Sequence, residues 1–175
     1  NEYQDEDIPD LTTAVADASE MADLLQERYG FEINSKKDIL LDRNATRMTI
    51  YKALRNLASS AGPSDNVLIY YAGHGDLDKL YDDGWWIPVD AKAGDPTTYL
   101  DNLQVQKAIR SMKARHVLLI SDSCYSGTLF GKSRTLPRII DDKYYLGLFN
   151  ENSRWGMTSG NKTPVADSGI GGHSI

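Results

Sequence analysis

One cysteine, three histidines and no apolar run long enough to cross a bilayer are the first absences in this 175-residue chain. A lone Cys124 cannot close an internal disulfide, which suits a reducing compartment and predicts a cytoplasmic protein. One thiol and the dispersed His74, His116 and His173 lack the ligand spacing of a zinc site, so no metal ligands are assigned. Positive charge is also in short supply. The 19 Lys and Arg against 25 Asp and Glu leave a net charge of -6, which removes the electrostatic footprint of a general nucleic-acid binder and favours basic ligands. The apolar runs 67–72 and 117–120 fall far short of the ~20 residues of a spanning helix, so no membrane partner is expected. The chain opens on Glu2, Asp5, Glu6 and Asp7, without the basic start and apolar stretch of a secretion signal. Glycine-rich phosphate loops at a helix start and Gly-x-Ser-x-Gly are missing as well, which argues against nucleotide-binding and serine-hydrolase readings.

What is present suffices for one cored domain over 1–175: 41% of residues are hydrophobic and 25% charged. Leu11, Ala14, Val15, Ala18, Met21, Ala22, Leu25 and Tyr29 recur at helical spacing and Gly30 supplies a stop, predicting a helix over 11–29. A second helix follows Asn44 or Thr46 and ends before Gly62-Pro63, and a third runs over 101–112. Between them, 31–34, 67–72, 86–89 and 116–121 read as strands, with a further strand at 155–159. Strands alternating with helices predict an α/β fold, a mainly parallel sheet flanked by helices on both faces. Periodicity fades over 128–154, which is expected to be an exposed, mobile, linker-like loop.

Sheets of this kind carry their chemistry at the carboxyl ends of the strands. Residues 67–72 run directly into Gly73-His74-Gly75-Asp76, and 117–121 into Asp122-Ser123-Cys124-Tyr125-Ser126-Gly127. A thiol is a strong nucleophile only as thiolate, so it needs a base nearby, and His74 is the candidate. If the two strands are neighbours, His74 and Cys124 share one rim of the sheet. The N–H groups of Gly75 and Cys124 are candidates for holding the oxyanion of a tetrahedral intermediate. A phosphatase needs an arginine six positions after its cysteine, where this chain has Phe130. His116, opening a buried strand, is expected to satisfy a backbone group, and His173 lies in a glycine-rich tail.

The segments Tyr71-Ala72-Gly73-His74-Gly75-Asp76 and Asp122-Ser123-Cys124-Tyr125-Ser126-Gly127 resemble the histidine and cysteine motifs of caspase-like peptidases (clan CD, peptidase family C14), in their prokaryotic, metacaspase and paracaspase branch. The 50-position spacing from His74 to Cys124 agrees with the ~50 residues of caspases. Weaker matches are Ala14-Val15-Ala16-Asp17-Ala18, Ile87-Pro88-Val89-Asp90, and Trp155-Gly156-Met157-Thr158-Ser159-Gly160 with Asp167 and Gly172-His173-Ser174-Ile175 beyond. The chain departs from true caspases in having Asp122-Ser123 before its cysteine. The resemblance implies a caspase-like fold and a cysteine endopeptidase with a Cys-His dyad.

For this branch the resemblance implies an acidic pocket selecting Arg or Lys before the cut, with Asp122, Asp17 and Asp167 at matching positions. Converging carboxylates suit a guanidinium with its fork of donors. The partners implied are protein or peptide substrates with Arg or Lys at the cleavage site. Lys132, Arg134 and Arg138 lie where the resemblance places the linker between the large and small catalytic parts, and are candidate self-cleavage points. Some relatives need calcium; here Asp82, Asp83, Asp95 and Asp101 are available oxygen ligands but lack loop-like spacing, so no cofactor is assigned and the calcium requirement stays open. The chain is expected to be a piece of a larger protein, completed by further segments or an activating partner. The competing reading is a catalytically silent caspase-like module that binds basic peptides.

Overall fold

The computed structural model describes residues 1–123 and 149–159. Helix α1 (Ala14–Tyr29) starts three residues later than the periodicity suggests, after Thr13, and Gly30 closes it at φ 69°, the left-handed geometry that glycine adopts most cheaply. Helix α2 (Arg47–Ser60) begins where the Thr46 side chain accepts the Thr49 N–H, and buries Ile50 and Leu54. Helix α3 (Asn102–Ser111) is capped by the Asp101 side chain on the Leu103 N–H, and buries Val105 and Ile109.

Strands β1 (Asn66–Ala72), β5 (His116–Asp122) and β6 (Ser153–Thr158) form one sheet in the order β1-β5-β6, and both pairings are parallel. Strands β2 (Gly75–Asp78), β3 (Asp83–Trp86) and β4 (Leu100–Asp101) form a second, antiparallel sheet. Alternation divides the parallel sheet into two faces. Val67, Ile69, Tyr71, Val117 and Leu119 join the core built with Ile50, Leu54, Val105, Ile109 and Met112, so α2 and α3 cover that face. Helix α1 packs on β1 but supplies no residue to this core, which places it over the opposite face, behind Leu68, Tyr70 and Ala72.

Three expectations differ. Residues 31–34 are not a strand, because the chain continues from the Gly30 stop through Phe31, whose N–H still bonds the Leu25 carbonyl. The expected strand at 86–89 ends at Trp86, since the preceding residues Asp83 to Trp86 pair with β2 in a hairpin that hydrophobic patterning alone does not reveal. The expected loop at 128–154 lies mostly outside the described residues, and its last two, Ser153 and Arg154, open β6. Among the described residues no helix is long and apolar enough to cross a membrane.

Candidate active site

His74 stands between two sheets, two residues past β1 and one before β2. Its peptide is held on both sides. The His74 N–H donates to the Tyr3 hydroxyl at 3.0 Å, while its carbonyl accepts from the Tyr71 hydroxyl at 2.8 Å and from the Ile87 N–H at 3.0 Å. The ring is oriented too: Nε2 lies 2.7 Å from the Pro9 carbonyl, and the Tyr3 ring packs on the imidazole with centroids 5.0 Å apart. A carbonyl can only accept, so Nε2 carries the hydrogen, and the neutral ring then offers its lone pair at Nδ1. Gly73 is required here by close approach, since a Cβ would lie 2.7 Å from the Tyr71 hydroxyl and 2.9 Å from Cζ of that ring.

The neighbouring strand β5 ends at Asp122, two residues before Cys124, at the same end. Ala72 is the register partner of Asp122, and the Gly73 N–H donates to the Asp122 carbonyl at 3.3 Å. Ser123 follows, buried, its hydroxyl 3.1 Å from that of Ser121. The Ser121 hydroxyl in turn accepts the Trp86 indole N–H at 3.2 Å, and Trp86 stacks on Tyr71 with ring centroids 4.1 Å apart and planes nearly parallel. A buried chain of contacts therefore links the His74 peptide, through Tyr71 and Trp86, to the residue before Cys124.

Asp17 lies in the first turn of α1 and Asp122 at the end of β5, and the two carboxylates act on one phenol. Burial first, and then the charges of Asp122 and Asp17, hold the Tyr70 hydroxyl well above its usual titration range. Gly75 opens β2 opposite Trp86. Cys124, Lys132, Arg134, Arg138, Asp167 and His173 lie outside the described residues. His116 differs from expectation: its Nδ1 is 2.8 Å from the Ser153 hydroxyl rather than on a backbone group, because the parallel register sets the two residues side by side.

The four aspartates considered as oxygen ligands are spread over the hairpin and the turns around it. Asp95 accepts from the N–H and hydroxyl of Thr97 at 3.1 and 2.6 Å, and Asp101 caps α3. Burial first, then the charges of Asp101, Asp78 and Asp82, push the Asp83 carboxyl up against an opposing hydrogen bond from the Gly84 N–H. Among the described residues no group of three or more His, Cys, Asp or Glu side chains is arranged to hold a metal ion.

Two parts of this geometry escaped the sequence reading: the Pro9 carbonyl that orients His74, and the paired phenols of Tyr3 and Tyr71 on its peptide. A main-chain carbonyl carries no residue-type signal, and Tyr3 lies 71 positions from His74.

A model of the caspase domain matches residues 1–169. The chain is 27% identical over 132 residues to Metacaspase-1B of Aspergillus fumigatus, covering 67% of this chain and 32% of that protein. It is 29% identical over 141 residues to Metacaspase-4 of Arabidopsis thaliana, covering 71% and 32%, and 27% identical over 162 residues to Metacaspase-1 of Saccharomyces cerevisiae, covering 83% and 34%. It thus spans about a third of the length of these relatives. Among solved structures it resembles protein GSU0716 of Geobacter sulfurreducens, with a TM-score of 0.53 and 30% identity, over 68% of this chain and 44% of that one.

Proposed function

The chain belongs to the caspase-domain family, with its α/β caspase-like fold, and from that membership we propose that it is a cysteine endopeptidase cutting proteins after Arg or Lys. The observation that carries this reading is the pairing of Ala72 with Asp122. Adjacent parallel strands thereby release the turn bearing His74 and the turn leading to Cys124 at one rim.

In the proposed reaction His74 Nδ1 takes the proton of the Cys124 thiol, and the thiolate attacks the carbonyl carbon after the basic residue, forming a C–S bond. The N–H groups of Gly75 and Cys124 receive the charge that develops on oxygen. The C–N bond then breaks while His74 gives a proton to the leaving amine. Water next loses a proton to His74, attacks the acyl-enzyme, and the C–S bond breaks to return the thiolate. The bond from His74 Nε2 to the Pro9 carbonyl supports this assignment, because it leaves Nδ1 as the ring atom that exchanges the proton.

Asp17 and Asp122, with Asp167, form the pocket for the basic side chain, and the shared influence of the first two on Tyr70 supports that grouping. Substrates are proteins or peptides with an accessible Arg or Lys. Lys132, Arg134 and Arg138 would be cut by the same specificity, which makes processing there the natural activation step.

The test is hydrolysis of fluorogenic peptides ending in Arg, Lys or Asp, with and without calcium, by the wild type and by Cys124→Ala and Asp122→Ala variants. Release after Arg or Lys that is lost in Cys124→Ala and falls at least tenfold in Asp122→Ala is expected. Release only after Asp would overturn the pocket, and binding of basic peptides without turnover would leave the silent-module reading standing.

A further inference from the structure

The proposed basic pocket has carboxylates, but carboxylates alone do not tell a guanidinium from an ammonium. We infer that Tyr70 is the aromatic wall of that pocket and the residue that makes it prefer arginine over lysine. This rests on the reading of a basic-selective peptidase given above and adds to it the residue that discriminates.

The placement follows from strand geometry. Tyr71 faces the core, where it stacks on Trp86, so Tyr70 faces the other way. That side is where α1, carrying Asp17 in its first turn, packs on β1. Ala72, two residues on and so on the same face as Tyr70, is the register partner of Asp122. Tyr70 is thus bordered by Asp17 from the helix above and by Asp122 from the strand beside it. Ala72, between Tyr70 and His74, carries only a methyl group beside its register partner Asp122. Tyr70 is half-buried rather than sealed in, as a pocket wall must be. Burial first, and then the charges of Asp122 and Asp17, raise the phenol's titration further.

An uncharged aromatic surface flanked by two carboxylates has a specific chemical preference. The planar, weakly hydrated guanidinium stacks on an aromatic face while its N–H fork reaches carboxylates to either side. The compact ammonium of lysine keeps its charge attraction but gains less from the ring and costs more to dehydrate. A phenol held neutral adds no competing negative charge, so the discrimination comes from the ring.

The experiment measures kcat/KM of the full-length protein on paired peptides differing only in Arg or Lys before the cut, for wild type, Tyr70→Leu and Tyr70→Phe. The Arg-to-Lys ratio is unaffected by a loss of folded enzyme, since both substrates report on the same active fraction. Wild type is expected to favour Arg, Tyr70→Leu to lower the ratio roughly three- to tenfold, and Tyr70→Phe to keep it within about twofold. An unchanged ratio in Tyr70→Leu, or no preference in the wild type, overturns the role of Tyr70 while leaving the basic pocket intact. A ratio lowered as much by Tyr70→Phe would assign the discrimination to the hydroxyl and overturn the wall. Cleavage after neither basic residue would remove the pocket itself, and this inference with it.

Discussion

The peptide and ring of His74 are held by groups drawn from four separate stretches of chain: Tyr3, Pro9, Tyr71 and Ile87. In the proposed reaction, each removes a degree of freedom that would otherwise blur where the His74 Nδ1 points. Tyr3→Phe deletes the acceptor of the His74 N–H and keeps the ring that packs on the imidazole. Loss of one neutral hydrogen bond is worth about 1 kcal/mol, so kcat should fall roughly three- to tenfold with KM little changed. Steady-state kinetics on an Arg peptide checks this, and an unchanged kcat would mean that Pro9 and Tyr71 suffice. Gly73→Ala should be more damaging, because its methyl group would overlap the Tyr71 hydroxyl at 2.7 Å and displace the phenol that holds the His74 carbonyl. At this scale His74 and Cys124 could be named as candidates from residue type and flanking glycines. The orienting carbonyl of Pro9 was not, since it would be the same atom on any residue.

Among the elements, β6 shows how a residue assigned to a loop can instead hold the fold. The Arg154 guanidinium donates to the carbonyls of Met112 and Ala114 at 2.8 and 2.9 Å, and of Arg115 and Ile109 at 3.2 and 3.3 Å. These are carbonyls at and just past the end of α3, where intrahelical partners run out; of the four, Ile109 also accepts the Met112 N–H and Arg115 the Ser153 N–H. A lysine has the charge but not the planar fork. Arg154→Lys should therefore cost about 1.5–3 kcal/mol in urea unfolding, the range of hydrogen bonds to charged groups; a change within experimental error would show that water replaces the fork.

The β2–β3 hairpin carries a different strain. Asp83 has its carboxyl raised, chiefly by burial and then by the charges of Asp101, Asp78 and Asp82. The folded state then holds this proton to higher pH than the unfolded chain does, so stability falls as pH rises from the ordinary carboxylate range through the raised value. Asp83→Asn should consequently raise Tm at pH 7, and the gain should disappear in acid, where both side chains are uncharged. A thermal melt at the two pH values decides it, and an equal gain at both would point to packing instead. Neither the hairpin nor its charge crowding was visible beforehand: Asp82 and Asp83 were read only as available oxygen ligands without loop-like spacing, because pairing partners of short strands are set by tertiary contact.

Across the sheet as described, β5, paired on both sides, and β6, paired with β5 on one, make opposite demands on their side chains. Leu119 is 1% exposed between two neighbouring strands and under two helices, whereas Trp155, on β6, is 63% exposed. Leu119→Ala should cost about 2–5 kcal/mol through lost transfer energy and the cavity left behind, and Trp155→Thr about 0.5 kcal/mol or less. Denaturant midpoints of both variants test the contrast, and a large loss at Trp155 would mean that this face is covered in solution.

The sequence by itself determined the three helices, the parallel-sheet class and the candidate histidine and cysteine. Helical periodicity, strand-length apolar runs, capping residues and glycine stops are local signals, written within a dozen residues of where they act. Only the tertiary structure decided that β1 and β5 are neighbours in a register that sets Ala72 beside Asp122. It alone brought Pro9 to the His74 ring and set Asp17 and Asp122 around Tyr70. Those meetings join residues up to about a hundred positions apart, and strand order and packing, to which hydropathy patterns are blind, choose among the many arrangements the same local elements allow.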